Sequence, residues 1–113
     1  MSQFTYAIVR TDGTHKLVEC DEINLEGLQS LVGGDIQALS FDGACGYINE
    51  SGKVVGLPVN EVATSLAHQH QSIFVWDTIN GDMVIVGPVD SEGEDTPLSV
   101  DWYNEQIACV SFR

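Results

Sequence analysis

Positive charge is scarce in this chain: Arg10, Lys16, Lys53 and Arg113 are the only bases among 113 residues, against 17 acids, and none lies between Lys53 and Arg113. Direct binding to nucleic acid or to an anionic membrane surface depends on clustered cations that replace counterions, so both are excluded as partners. Cysteine is sparse as well. Cys20, Cys45 and Cys109 are odd in number and widely spaced, with no Cys-x-x-Cys, which argues against a disulfide framework or a zinc site and for buried thiols in a reducing compartment. No apolar run approaches the ~20 residues that span a bilayer. Residues 1–9 lack the basic flank and long apolar stretch of a signal peptide, so a cytoplasmic location is expected. Glycine is plentiful, yet Gly33-Gly34, Gly43 and Gly46 build neither a P-loop nor a dinucleotide fingerprint. No internal repeat or low-complexity tract is present.

What remains is a chain of net charge -13 that is nevertheless 43% hydrophobic, with a mean hydropathy of +0.03. That composition folds, and its length suits one domain with one core. Phe4, Tyr6 and Ile8 alternate with Thr5, Ala7 and Val9, and Asp12-Gly13 precedes Leu17 and Val18. The pattern predicts a β-hairpin with strands near 3–10 and 15–20, closed by a type I′ turn. Leu25, Leu28, Leu31 and Val32 then recur at helical spacing behind Asn24 and stop at Gly33-Gly34, predicting a helix over 24–32. Ile36 to Leu39 and Cys45 to Ile48 read as strands either side of an Asp42-Gly43 turn.

The stretch from Asn49 to Asn60 combines turn chemistry with an apolar run. Glu50-Ser51-Gly52-Lys53 reads as a second hairpin turn with Val54-Val55 returning, and Asn60 as the N-cap of a helix carrying Val62, Ala63, Leu66 and Ala67. Residues 72–77 read as strand or apolar loop, with Asn80-Gly81 a hairpin turn if they are extended. Met83 to Val86 reads as a buried strand. After an acidic loop over 89–97, Ser99 caps a helix bearing Val100, Tyr103, Ile107 and Val110, although residues 107–112 also fit a strand. The expected fold is α+β: a mainly antiparallel sheet of five or six strands with two or three short helices on one face.

A helix ending in Val32-Gly33-Gly34, then Asn49-Glu50 with Gly52-Lys53, then Gly56-Leu57-Pro58 with Asn60 and Ala63, then an apolar strand between Gly81 and Gly87, resembles a domain-of-unknown-function family, number 3846. The resemblance covers about residues 1–88 and implies a small protein of phages and mobile elements, carried among accessory genes such as anti-restriction genes. It carries no catalytic residue across. By this reading residues 1–88 form the core, 89–97 an acidic loop, and 98–113 a C-terminal helix or strand packed on the core and outside the resemblance.

No catalytic residue, cofactor or metal is assigned. His68 and His70 point apart on a helix and read as solvated helix-end side chains rather than a metal pair. No base with a family context accompanies Cys45 or Cys109 as a nucleophile. Function is expected to lie in acidity. Asp90, Glu92, Glu94, Asp95, Asp101 and Glu105, with Trp102 as an exposed aromatic anchor, are the residues expected to bind a basic protein surface such as a host nuclease or nucleic-acid-binding protein. Asn49, Glu50 and Asn60 are the alternative, one wall of a pocket for a nucleotide-like small molecule. A homodimer is the expected form of any oligomer.

Overall fold

The computed structural model describes residues 4–108. Two antiparallel hairpins flank one late strand. The first pairs β1 (Phe4–Val9) with β2 (His15–Cys20), and the second pairs β3 (Ile36–Phe41) with β4 (Ala44–Asn49). β5 (Met83–Val86) enters between them, antiparallel to both β1 and β4, so the sheet order is β2-β1-β5-β4-β3. Five antiparallel strands and three short helices form the expected α+β architecture. β5 is Met-Val-Ile-Val and buried throughout, because a central strand covered on both faces has no polar side.

The helices divide between the two faces, a correction to the expected single helical layer. Helix α1 (Leu25–Val32) packs Leu28 and Val32 on Tyr6, Ile8, Cys45, Val84 and Val86. On the other face, α2 (Glu61–Gln69) and the C-terminal helix pack Ala63, Leu66, Ala67 and Ile107 on Ala7, Val9, Phe41, Ile48, Met83 and Ile85. β1 and β5 bury residues of both parities, and an apolar surface on each face of the sheet needs a cover.

The caps act as their chemistry predicts. Asn24 accepts from Gly27 N at 2.8 Å to start α1, and Gly33 ends it in the left-handed region at φ 80°. Ser99 accepts from Trp102 N at 3.2 Å to start α3 (Val100–Tyr103), which runs on in a wider helical turn over Asn104–Ala108. The C-terminal segment is therefore helical as far as Ala108, and Cys109 and Val110 lie outside the described residues. Ile107 is fully buried, whereas Val100 is half exposed.

Two turn expectations fail for local reasons. The first hairpin closes through residues 10–14, with Arg10 N donating to Thr14 O at 2.8 Å, rather than through a two-residue turn. Val54-Val55 does not return as a strand. Ser51 to Gly56 instead coils through successive local bonds, Val55 N to Ser51 O at 2.9 Å and Leu57 N to Gly52 O at 2.8 Å, which consume the backbone groups a strand would present. Gly52 is needed there because a Cβ would stand 2.4 Å from the Asn80 carbonyl oxygen. Of the two readings of residues 72–77 the structure takes the loop, and Asn80-Gly81 accordingly closes no hairpin; Asn80 forms an isolated bridge with Val59. No helix among the described residues is long and apolar enough to cross a membrane.

Candidate functional site

Asn60 is the most constrained polar residue of the molecule. It is fully buried, and all of its amide is used: Oδ1 accepts from Ala63 N at 3.0 Å, while Nδ2 donates to Val9 O at 2.9 Å and Gly81 O at 3.0 Å. One side chain thus caps α2 and ties it to the end of β1 and the approach to β5. Asn49, also buried, accepts from Ser51 N at 2.8 Å and donates to Val32 O at 3.2 Å, joining β4 to the end of α1. The expected pocket wall of Asn49, Glu50 and Asn60 is not assembled. Asn49 and Glu50 border a cleft of about 230 Å³ with Lys53, Thr78 and Asn80, while Asn60 lies in the core with nothing left to offer a ligand.

The histidines are structural too, which corrects their reading as solvated side chains. His68 Nε2 donates to Asp77 O at 2.9 Å. His70 Nδ1 accepts from Asp42 N at 3.1 Å, and Nε2 donates to Gln106 Oε1 at 2.9 Å. His15 shares a bond of 2.5 Å with the Tyr103 hydroxyl, and burial pushes the ionisation of that tyrosine up. Among the described residues no three His, Cys, Asp or Glu side chains converge as metal ligands.

Trp102 is not the exposed anchor expected from its acidic neighbours. Its ring stacks on His70 at 5.8 Å and Phe41 at 6.1 Å between centroids, lies over Gly43, and donates its indole N–H to Asp42 O at 2.7 Å. Stacking and a satisfied donor hold it half buried against the sheet. Asp101 and Glu105 remain exposed beside it, one turn apart on the C-terminal helix.

The acidic loop has its own geometry. The Asp90 carboxylate accepts from Glu92 N and Glu94 N, each at 2.9 Å, while Gly93 N returns to Asp90 O at 3.0 Å. This tight turn points the Glu92 and Glu94 side chains to solvent. Asp95 accepts from the Tyr47 hydroxyl at 2.6 Å, which anchors the loop on the α1 face. Burial first, and then the Asp95 hydrogen bond, push the ionisation of Tyr47 far up. Burial likewise raises the Cys45 thiol beside it. Glu94 and Asp95 border a cleft of about 320 Å³ with Ile23, Asn24, Leu25 and Leu28 at the start of α1.

The expected single acidic surface from Asp90 to Glu105 is therefore two surfaces. Glu94 and Asp95 sit on the α1 face beside the start of α1, with Asp90 and Glu92 in the same turn, whereas Asp101 and Glu105 sit on the opposite face beside Trp102, whose indole reaches Asp42 O. Leu98, buried in the α2-face core, donates its N–H to Thr5 O of β1 at 2.8 Å, and there, beyond the end of β5, the chain passes from one face of the sheet to the other. Sequence spacing alone could not show this, because the six-residue step from Asp95 to Asp101 is enough to cross from one layer to the other.

The loop over residues 72–77, to which no site residue was assigned from sequence, carries the exposed aromatic side chains among the described residues. Phe74, Val75 and Trp76 are exposed at 67%, 85% and 76%.

Comparison with curated proteins and with solved structures returns no match. A family model described as a domain of unknown function (DUF3846) matches residues 5–108. The match runs through the acidic loop and the C-terminal helix, which extends the resemblance beyond residue 88. The chain belongs to the DUF3846 family.

Proposed function

We propose that this protein is a non-enzymatic acidic interaction module that binds a basic protein surface. One observation carries the reading: all 17 acids lie within the described residues and none is buried, all but Asp77, Asp82 and Asp95 being exposed. Among the described residues a single ion pair forms, Lys53 with Asp77, so the negative field is almost uncompensated. Such a field steers a cationic partner and raises its association rate, and it opposes polyanions.

The side chains that usually do chemistry support the non-enzymatic part. His15, His68 and His70, Asn49 and Asn60, and Tyr47 are all engaged in internal hydrogen bonds. In the accessory-gene setting that the family resemblance implies, the partner is a host nuclease or another nucleic-acid-binding protein whose cationic groove the acids occupy in place of phosphates. The test is pull-down of candidate basic host nucleases over a salt series. A complex that weakens steeply with salt is expected, and one indifferent to salt refutes the reading.

A further inference from the structure

Phe74 and Trp76 stack with centroids 4.8 Å apart and planes 4° from parallel. At 67% and 76% exposure, and with roughly 200 Å² per aromatic side chain, they show water on the order of 300 Å² of ring surface. That alone reaches the size of the largest apolar patch on a typical monomer. Val75, exposed at 85%, belongs to the same loop, and Val54 and Val55 are exposed at 89% and 63% on the coil that follows Lys53. Lys53 pairs with Asp77, so the two valines and the aromatic pair flank one ion pair that joins their loops.

The loop is braced from beneath rather than frayed. Ser72 donates to Ser40 O, Asp77 N returns to Phe74 O at 2.9 Å, Thr78 N donates to the Asp77 carboxylate at 2.8 Å, and His68 holds Asp77 O. Gln71 enters the loop at φ 57°, the only non-glycine residue in that region among the described ones. A strained entry and a fixed base turn three large apolar side chains outward, where they cost solvation and leave the core unchanged.

Charge selects the occupant. Asp77 is already paired with Lys53, but Glu50 is exposed and borders the cleft that Lys53, Val54 and Thr78 share, and Asp42, also exposed, lies two residues from Ser40, whose carbonyl holds Ser72. A second copy would bring a net charge of -13 against -13. A segment carrying apolar side chains for the rings and Lys or Arg for the flanking acids meets no such opposition, and an arginine gains further on the Trp76 face.

We infer that the Phe74–Trp76 knob, with Val54 and Val55, is the apolar anchor by which this chain docks a basic amphipathic segment of another protein. The inference rests on the proposed function and adds where the affinity is seated: the acids steer, and the exposed rings hold.

Two synthetic probes test it, an amphipathic leucine–lysine helix and an oligolysine of equal charge, each titrated at low salt by calorimetry against wild type and the exposed-site variants Trp76→Ala and Phe74→Ala. Far-UV circular dichroism checks that both variants keep the fold. The leucine–lysine peptide is expected to bind wild type at least about tenfold tighter than oligolysine, and each substitution to abolish that advantage while leaving oligolysine unchanged. Equal binding of the two peptides, with no effect of either substitution, overturns the anchor and leaves the acidic reading standing. Failure of both peptides to bind overturns the acidic reading and the anchor with it. Self-association of the free protein in sedimentation, lost in Trp76→Ala, identifies a second copy as the occupant and also overturns the inference.

Discussion

Replacing Asn60 separates a helix cap from a tertiary clamp. An N-cap asparagine contributes about 1 kcal/mol to a helix, and Asp serves as well as Asn in that role. Asn60→Ala removes the cap bond to Ala63 N and also strips the Val9 and Gly81 carbonyls of their amide donor in the core. Each buried acceptor left unpaired costs about 1–3 kcal/mol, so with the cap the total is roughly 3–7 kcal/mol, a large part of the ~5–15 kcal/mol that holds a domain together. At about 4 °C per kcal/mol for a domain of this size, the melting temperature falls by roughly 12–28 °C. Asn60→Asp is the sharper variant. It keeps the acceptor that caps α2 but sets a carboxylate against two carbonyl oxygens, so it destabilises at least as much as alanine. Asn24→Ala is the control: Asn24 is exposed and its side chain accepts only from Gly27 N, so about 1 kcal/mol is expected. Urea unfolding at pH 8, followed by circular dichroism, measures all three. If Asn60→Asp is as stable as wild type, or Asn60→Ala costs no more than Asn24→Ala, the clamp does not exist.

Tyr47→Phe tests the anchor of the acidic loop. An unfolded tyrosine ionises near pH 10, and the folded Tyr47 resists ionisation well beyond that, so its contribution is complete below pH ~10 and is lost as pH rises above it. The variant is expected to lose about 0.5–1.5 kcal/mol at neutral pH and to show a shallower alkaline fall in stability than wild type. The remaining slope comes from Cys45, Tyr6 and Tyr103, which burial also shifts up. An unchanged alkaline slope counts against the Tyr47–Asp95 contact. Gly46→Ala tests the packing of the α2 face: its Cβ would stand 2.8 Å from the Phe41 ring and 3.2 Å from the Met83 sulfur, so a loss of about 1–3 kcal/mol is expected in thermal unfolding. Substituting Phe41 by Leu should recover part of that loss, and additivity of the two changes would refute the clash.

Much of the local structure was legible because its causes lie within a few residues. The helix from Asn24 to Gly33, the caps at Asn60 and Ser99, the flanking hairpins and the buried run Met83 to Val86 all follow from side-chain oxygens, glycine and apolar spacing acting over one turn or one strand. The coil after Gly52 was not legible, since the same turn residues serve a hairpin and a run of local bonds; contact with the Asn80 carbonyl decides between them. Trp102 and Trp76 show the limit for the candidate site. Each sits in an apolar-aromatic run, yet one is stacked on Phe41 and His70 and the other faces water, and only the packing of remote elements separates the two cases.

By itself the sequence determined the excess of acid, the absence of a cationic or metal-binding motif, the strand and helix segments, and the family fingerprint around Gly56-Leu57-Pro58. Only the tertiary structure decided that β5 enters between the hairpins, that helices cover both faces, and that the acids from Asp90 to Glu105 divide between them. The reason is range. Caps and turns act over about four residues, whereas the Asn60 donors reach Val9 and the Thr11 amide reaches Asp82, contacts that exist only once apolar surface on both sides of the sheet has been buried.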